Sequence, residues 1–316
     1  MSIFIKAMTY DYPEMLPVSV GMLPAMWNFY GTELVRLVKE YPDLVSNIPD
    51  LETLDENMAI SYRSGGYTDD WGCVWDNIDH GMASIVTGHP VPRREDVHTM
   101  KVPEIPDGGI EHGFMYLRLL DLRGFEEAML DFAEECEELK ILIEKVLNYN
   151  IAHMEKFLPN AGEIIYFGDD LGMQNALAIG PEKWRKYMKP CFKKIFGMAL
   201  EAGKYVYMHT DGMIHEIIGD LHECGATMIN PQIRANGLDN LVRTCKGKIP
   251  INLDLDRQLF PFATPNECIE HVRECVEALY LPQGGLGLSI ELNYEVPLEN
   301  VAALFDAARK YRMYKG

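Results

Sequence analysis

No stretch of this sequence reaches the roughly 18 consecutive apolar residues of a membrane-spanning helix, so a transmembrane protein is not expected. Met1 to Tyr10 also lacks the basic and apolar segments of a signal peptide, which points to the cytoplasm. Cysteine is sparse: the seven residues Cys73, Cys136, Cys191, Cys224, Cys245, Cys268 and Cys275 show no CxxC spacing, and the odd count suits free thiols in a reducing compartment. A zinc knuckle is therefore not expected. Positive charge is short as well. Lys and Arg number 29 against 48 Asp and Glu, and the resulting formal charge of −19 repels nucleic acid and multiply carboxylated ligands. Ser/Gly tracts are missing, so the proline-rich segment from His89 to Gly109 reads as an irregular connection and not a domain linker.

What is present is material for a core. At 316 residues, 47% hydrophobic and 24% charged, the chain suffices for one large α/β domain spanning residues 1–316. Apolar runs predict strands at Pro17–Met22, Met58–Arg63 and Phe114–Leu119 in the first half. Tyr67 to Asn77, rich in turn formers and aromatics, reads as a hairpin excursion, with Trp71 and Trp75 on one face by the period of two. Leu142, Ile143, Val146, Leu147, Ile151 and Met154 recur at three and four, which predicts an amphipathic helix from Leu139. The second half alternates regularly. Strands are expected at Glu163–Phe167, Lys204–Met208, Thr227–Asn230, Ile249–Leu253 and Leu286–Ile290. Helices should follow from Pro181 (kinked at Pro190), Met213, Asp239, Asn266 and Pro297. Short strand-helix connections imply parallel pairing, and eight strands close naturally into a (β/α)8 TIM barrel carrying an N-terminal excursion.

In such a barrel the reactive groups lie at the carboxyl ends of the strands. The stretch KYVYMHTDG, Lys204 to Gly212, brings a short apolar strand into His209 and Asp211, two metal ligands or proton carriers one residue apart. The other strand ends supply Asp169 and Asp170, Asn230, Glu291 and Asn293. Trp27, Tyr166, Tyr207 and Tyr294 are equally readable as core or as walls for a flat aromatic substrate, and Asp169 and Asp170 as loop caps or substrate ligands.

The motifs Leu122-Arg123-Gly124-Phe125-Glu126, Phe167-Gly168-Asp169-Asp170-Leu171-Gly172-Met173-Gln174, Ile179-Gly180-Pro181-Glu182-Lys183-Trp184 and His209-Thr210-Asp211-Gly212 occur in this order. Pro261-Phe262-Ala263-Thr264-Pro265 and Pro297-Leu298-Glu299-Asn300 follow them. From about Tyr67 to Tyr311 the chain thereby resembles the uroporphyrinogen decarboxylase superfamily, in its branch of corrinoid-dependent methyltransferases. Zinc-using members of that branch show His-x-Cys-Gly and a later Cys; here the second position is Asp211 and the later region reads Ser289-Ile290-Glu291-Leu292-Asn293. The resemblance then implies a metal and catalytic set of His209, Asp211 and Glu291, an oxygen-rich zinc site. Tyr166, Asp169, Asp170, Gln174, Tyr207, Asn230, Asn293 and Trp27 would hold substrate. The implied activity is transfer of a methyl group from a small donor, an aryl methyl ether, to Co(I) of a separate corrinoid protein, with metal or acid activation of the leaving oxygen. A cofactor-free porphyrinogen-type decarboxylase and a non-catalytic corrinoid-binding partner are the alternatives, and a homodimer is left open.

Overall fold

The computed structural model describes residues 1–316. In chain order its strands are β1 (Val18–Met22), β2 (Gly65–Thr68), β3 (Val74–Asn77), β4 (Ile85–Gly88), β5 (Ile164–Gly168), β6 (Tyr205–Thr210), β7 (Met228–Pro231), β8 (Ile251–Asp254) and β9 (Leu286–Leu292). The chain divides into two compact units: a first of Met1–Gly66, Asp76–Ile85 and Gln232–Gly316, and a second of Tyr67–Trp75 and Val86–Pro231. No helix is long and apolar enough to cross a membrane.

In the first unit β9 pairs in parallel with both β1 and β8. The helices at Pro265–Leu279 and Leu298–Tyr311 present buried stripes, Cys268, Val272, Cys275, Val276 and Leu279 on one, Val301, Leu304, Phe305 and Ala308 on the other. That is the three-and-four spacing of an amphipathic helix against a core. The first of them begins where Thr264 accepts the Glu267 amide while the Glu267 carboxylate accepts the Thr264 amide, a reciprocal cap after which Pro265 lacks only an N–H that no helix start uses.

In the second unit β6 pairs in parallel with β5 and β7. Beneath the strand ends lies an aromatic core: Phe167 stands 5.2 Å from Phe114 and 4.9 Å from Phe196, and Phe192 is 5.7 Å from Trp184, between ring centroids. The long helix Glu137–Phe157 buries Leu139, Leu142, Ile143, Val146 and Met154 as its periodicity requires. Near Pro190, where a kink was expected, the helix is irregular. A π-turn, Trp184–Met188, precedes Lys189–Glu201, because the missing N–H of Pro190 leaves the preceding turn without its regular partner.

The α/β class holds, with six parallel strands, three per unit, where eight were expected. Two of the three early strands are absent. Met58–Arg63 contains the 3-10 turn Ile60–Tyr62, and Phe114–Leu119 runs into the helix Tyr116–Arg123. The excursion exists as β2 to β4, but Trp71 and Trp75 do not share a cluster: Trp75 stacks on Tyr67 at 6.0 Å, whereas Trp71 lies in a turn against Tyr149 at 4.7 Å. The helix expected from Met213 begins only at Ile218.

Candidate metal centre

The site is built where β5 and β6 end in the second unit. In the parallel register Gly168 lies beside His209, and His209 beside Asn230. Lateral neighbours share a face of the sheet, so the His209 imidazole meets the Asn230 amide, whose Oδ1 accepts from Nδ1 at 2.7 Å. This bond fixes the proton on Nδ1 and turns Nε2 toward the acids, as a partner does for a ligating histidine. On the Gly168 side the missing side chain makes room for another ring: a Cβ there would overlap His112 Nδ1.

His112 arrives from a loop clamped onto the end of β5. Gly113 donates its amide to the Gly168 carbonyl at 2.7 Å, and buried Asn150 donates to the Phe114 carbonyl at 2.7 Å. Asp169, fully buried, then accepts the amides of Met115, Tyr116 and Leu117 at 3.2, 2.5 and 2.8 Å, supplying from outside the acceptor that the N-terminus of the helix Tyr116–Arg123 needs. Burial drives the Asp169 carboxyl up to about 7, against those amides, which favour the anion. On the other side, Asp170 accepts the Asp211 amide at 3.1 Å, and buried Thr210 accepts that of Leu171 at 3.0 Å. Gly172 and Gly212 lie backbone against backbone, so that a Cβ on either would run into the other loop's main chain.

The outcome is a compact donor set. His112, Asp170 and His209 each offer one ligand atom, all within 4.8 Å of one another. Asp170 Oδ2 is 3.2 Å from His112 Nε2, and its Oδ1 is 3.9 Å from His209 Nε2. Neighbouring ligands on a tetrahedral ion with bonds of about 2.0 Å stand about 3.3 Å apart: the His112–Asp170 spacing meets this, the wider Asp170–His209 spacing would have to close on an ion, and two imidazoles with one carboxylate are the donor types of a catalytic zinc site with an open position. Asp211 flanks the set, its Oδ1 3.3 Å from His209 Nε2. Burial depresses the basicity of His209, yet the hydrogen bond and charge of Asp211, the bond to Asn230 and the charge of Asp170 outweigh it and lift the imidazole to about 9. His112 is raised too: burial opposes it, and the contact with Asp170 prevails.

Of the residues singled out in the sequence, His209 and Asp170 are in the donor set, with Asp211 and Asn230 in contact with His209 and Asp169 locked beneath. Tyr166 is exposed and Tyr207 buried, their rings 5.2 Å apart on the strand face that leads to Gly168 and His209. Gln174 is exposed in a turn. Glu291, Asn293 and Trp27 belong to the first unit. There the Glu291 carboxylate pairs with Arg257, Asn293 caps a local turn by accepting the Glu295 amide, and Trp27 is buried in its helix. His112 was not singled out. Its only signal is the glycine that follows it, between the irregular connection His89 to Gly109 and the strand expected at Phe114–Leu119.

Next to the donor set is a cavity of about 300 Å³ lined by Tyr116, Leu117, Leu120, Phe125, Met173 and Ala178, with Asp170 contributing to its wall. It shares one carboxylate with the candidate centre and is otherwise apolar.

Parallel strands whose carboxyl ends converge on two imidazoles and a carboxylate define an α/β protein with a candidate metal centre. The chain belongs to the uroporphyrinogen decarboxylase (URO-D) family, whose model matches residues 119–311. Among solved structures it is similar to a methyltransferase from Methanosarcina mazei, at 15% identity and a TM-score of 0.66 over 98% of both chains. A dihydropteroate synthase from Xanthomonas albilineans with 4-aminobenzoic acid is similar over 51% of this chain and 57% of its own, at 14% identity and a TM-score of 0.33. No curated protein matches the chain.

Proposed function

We propose that the chain is a methyltransferase that holds zinc on His112, Asp170 and His209 and moves a methyl group from a small methyl ether to the reduced cobalt of a separate corrinoid protein. The observation that carries this reading is the donor set, with the His209 tautomer fixed by Asn230 so that Nε2 faces Asp170. Membership in the URO-D family and the shared fold with a methyltransferase support the reaction class. The zinc would act as a Lewis acid on the ether oxygen, making phenolate or alkoxide easier to expel. The apolar cavity beside Asp170 suits a compact, uncharged donor, and it lacks the cationic side chains that a polycarboxylated porphyrinogen requires. Asp211 contributes the charge that steadies His209.

A second reading has its own observation. With its basicity raised to about 9, His209 carries a proton at neutral pH and can itself donate from Nε2 to the departing oxygen. Metal analysis separates the two. Purified protein should contain one zinc per chain, lost in His112→Ala, Asp170→Asn and His209→Ala; metal-free protein that still turns over would favour the proton donor. Activity is read by mixing the protein with reduced corrinoid carrier and a panel of methoxylated aromatics, methylamines and methanol. Lack of a methyl-cobalt spectrum across the panel defeats the methyltransferase reading altogether.

A further inference from the structure

The first unit contains a larger cavity, of about 680 Å³, within the range of small-molecule sites. We propose that it is a ligand site for a small monocarboxylate with a flat apolar body, recognised by Arg234 and flanked by Phe262. This inference stands apart from the metal centre and does not depend on it.

The cationic group is built in. Arg234 lines the cavity, and its Nε donates to Asp256 Oδ1 at 2.7 Å. Asp256 is fixed in turn by the amides of Gln258 and Leu259 at 3.2 and 3.1 Å, while its own amide donates to His271 Nε2 at 3.1 Å. The guanidinium is thus oriented before any ligand arrives, and engagement through Nε leaves the η nitrogens for a planar, two-oxygen acceptor. The neighbouring Arg257 is committed elsewhere, to Glu291 and to buried Asp254. That pairing offsets the charge of Glu291 on the same wall, as Asp256 offsets part of that of Arg234.

The apolar part is equally deliberate. Phe262 is 89% exposed on a loop that is nevertheless pinned. Buried Asn300 donates to the carbonyls of Phe260 and Ala263 at 2.8 and 2.7 Å, and the amides of Phe262 and Ala263 both donate to Leu259. With Pro261, Leu23, Leu292 and Met82 the ring offers an apolar surface beside a guanidinium. Glu295 stands exposed at the same cavity, an acidic side chain that opposes ligands carrying several carboxylates.

The test is calorimetric titration of the full-length protein with benzoate, benzamide and benzylamine as anionic, neutral and cationic probes of one shape. Benzoate should bind, with benzamide at least about tenfold weaker, as expected for loss of a charge-assisted contact. Arg234→Gln should weaken benzoate by about tenfold or more. Arg234→Lys should recover only part of the affinity, because a point charge lacks the fork. Since Asp256 keeps its amide donors, Arg234→Gln should remain folded by circular dichroism. Phe262→Ser, a change at an exposed position, should weaken all three probes without favouring one. The proposal is overturned if benzamide or benzylamine binds as tightly as benzoate, if Arg234→Gln leaves benzoate unchanged, or if no heat of binding appears at millimolar benzoate. Zinc content, measured on the same samples, should not change in any of the three variants, so failure here and failure of the metal-centre reading are told apart.

Discussion

At His209 a single hydrogen bond decides which nitrogen is available. With Nδ1 held by Asn230, any metal must take Nε2, which in the free protein is protonated up to about pH 9 in the company of Asp211 and Asp170. Metal and proton therefore compete for one lone pair. Zinc affinity should rise as pH increases toward 9, and uptake at pH 7 should release a proton, which calorimetry in buffers of different ionisation enthalpy will detect. The sign follows from the raised basicity: the protonated imidazole stabilises the metal-free fold below the ordinary histidine range, and that stabilisation fades through pH 9. In the sequence, His209, Asp170 and Asp211 were legible because a strand end exposes its polar residues at predictable positions. His112 was not, since its place is set by Gly113, Gly168 and Asn150 acting across the fold, and no local periodicity records such a clamp.

Elements tell a similar story. The repeating strand-helix units of the second half were readable because apolar runs, prolines at helix starts and glycines between units agree with one another. Phe114–Leu119 failed for a definite reason. Its apolar run suits a strand equally well, but the Asp169 carboxylate accepts three successive amides there and so favours a helix start, a tertiary contact overriding local preference. The end of β5 then depends on glycine. Gly168→Ala places a methyl group against the His112 ring, which must move away from Asp170. The expected result is loss of zinc from the purified variant with a stability cost of only about 1–3 kcal/mol, measured by denaturant unfolding. Retention of full zinc content would show that His112 is not a ligand.

At the scale of the molecule, the sequence led to one domain and the resemblance to one family. The family is confirmed over residues 119–311, and the α/β class over the whole chain. The interleaving of two compact units was illegible, because a discontinuous unit leaves no boundary in composition: the first is assembled from both ends of the chain around most of the second. β1 is hydrogen-bonded in register with β9, and Ser19 donates its hydroxyl to Leu288, 269 positions away. That separation becomes an interval of time on the ribosome. At roughly 5–20 residues per second, β1 waits on the order of ten to fifty seconds for its partner strand to be made, whereas β5, β6 and β7 are translated close together. Proteolysis of stalled nascent chains should find Val86–Pro231 protected well before Val18–Met22. Through that wait the young chain has an unpaired strand edge to shelter, and the demand falls on whatever chaperone meets it first.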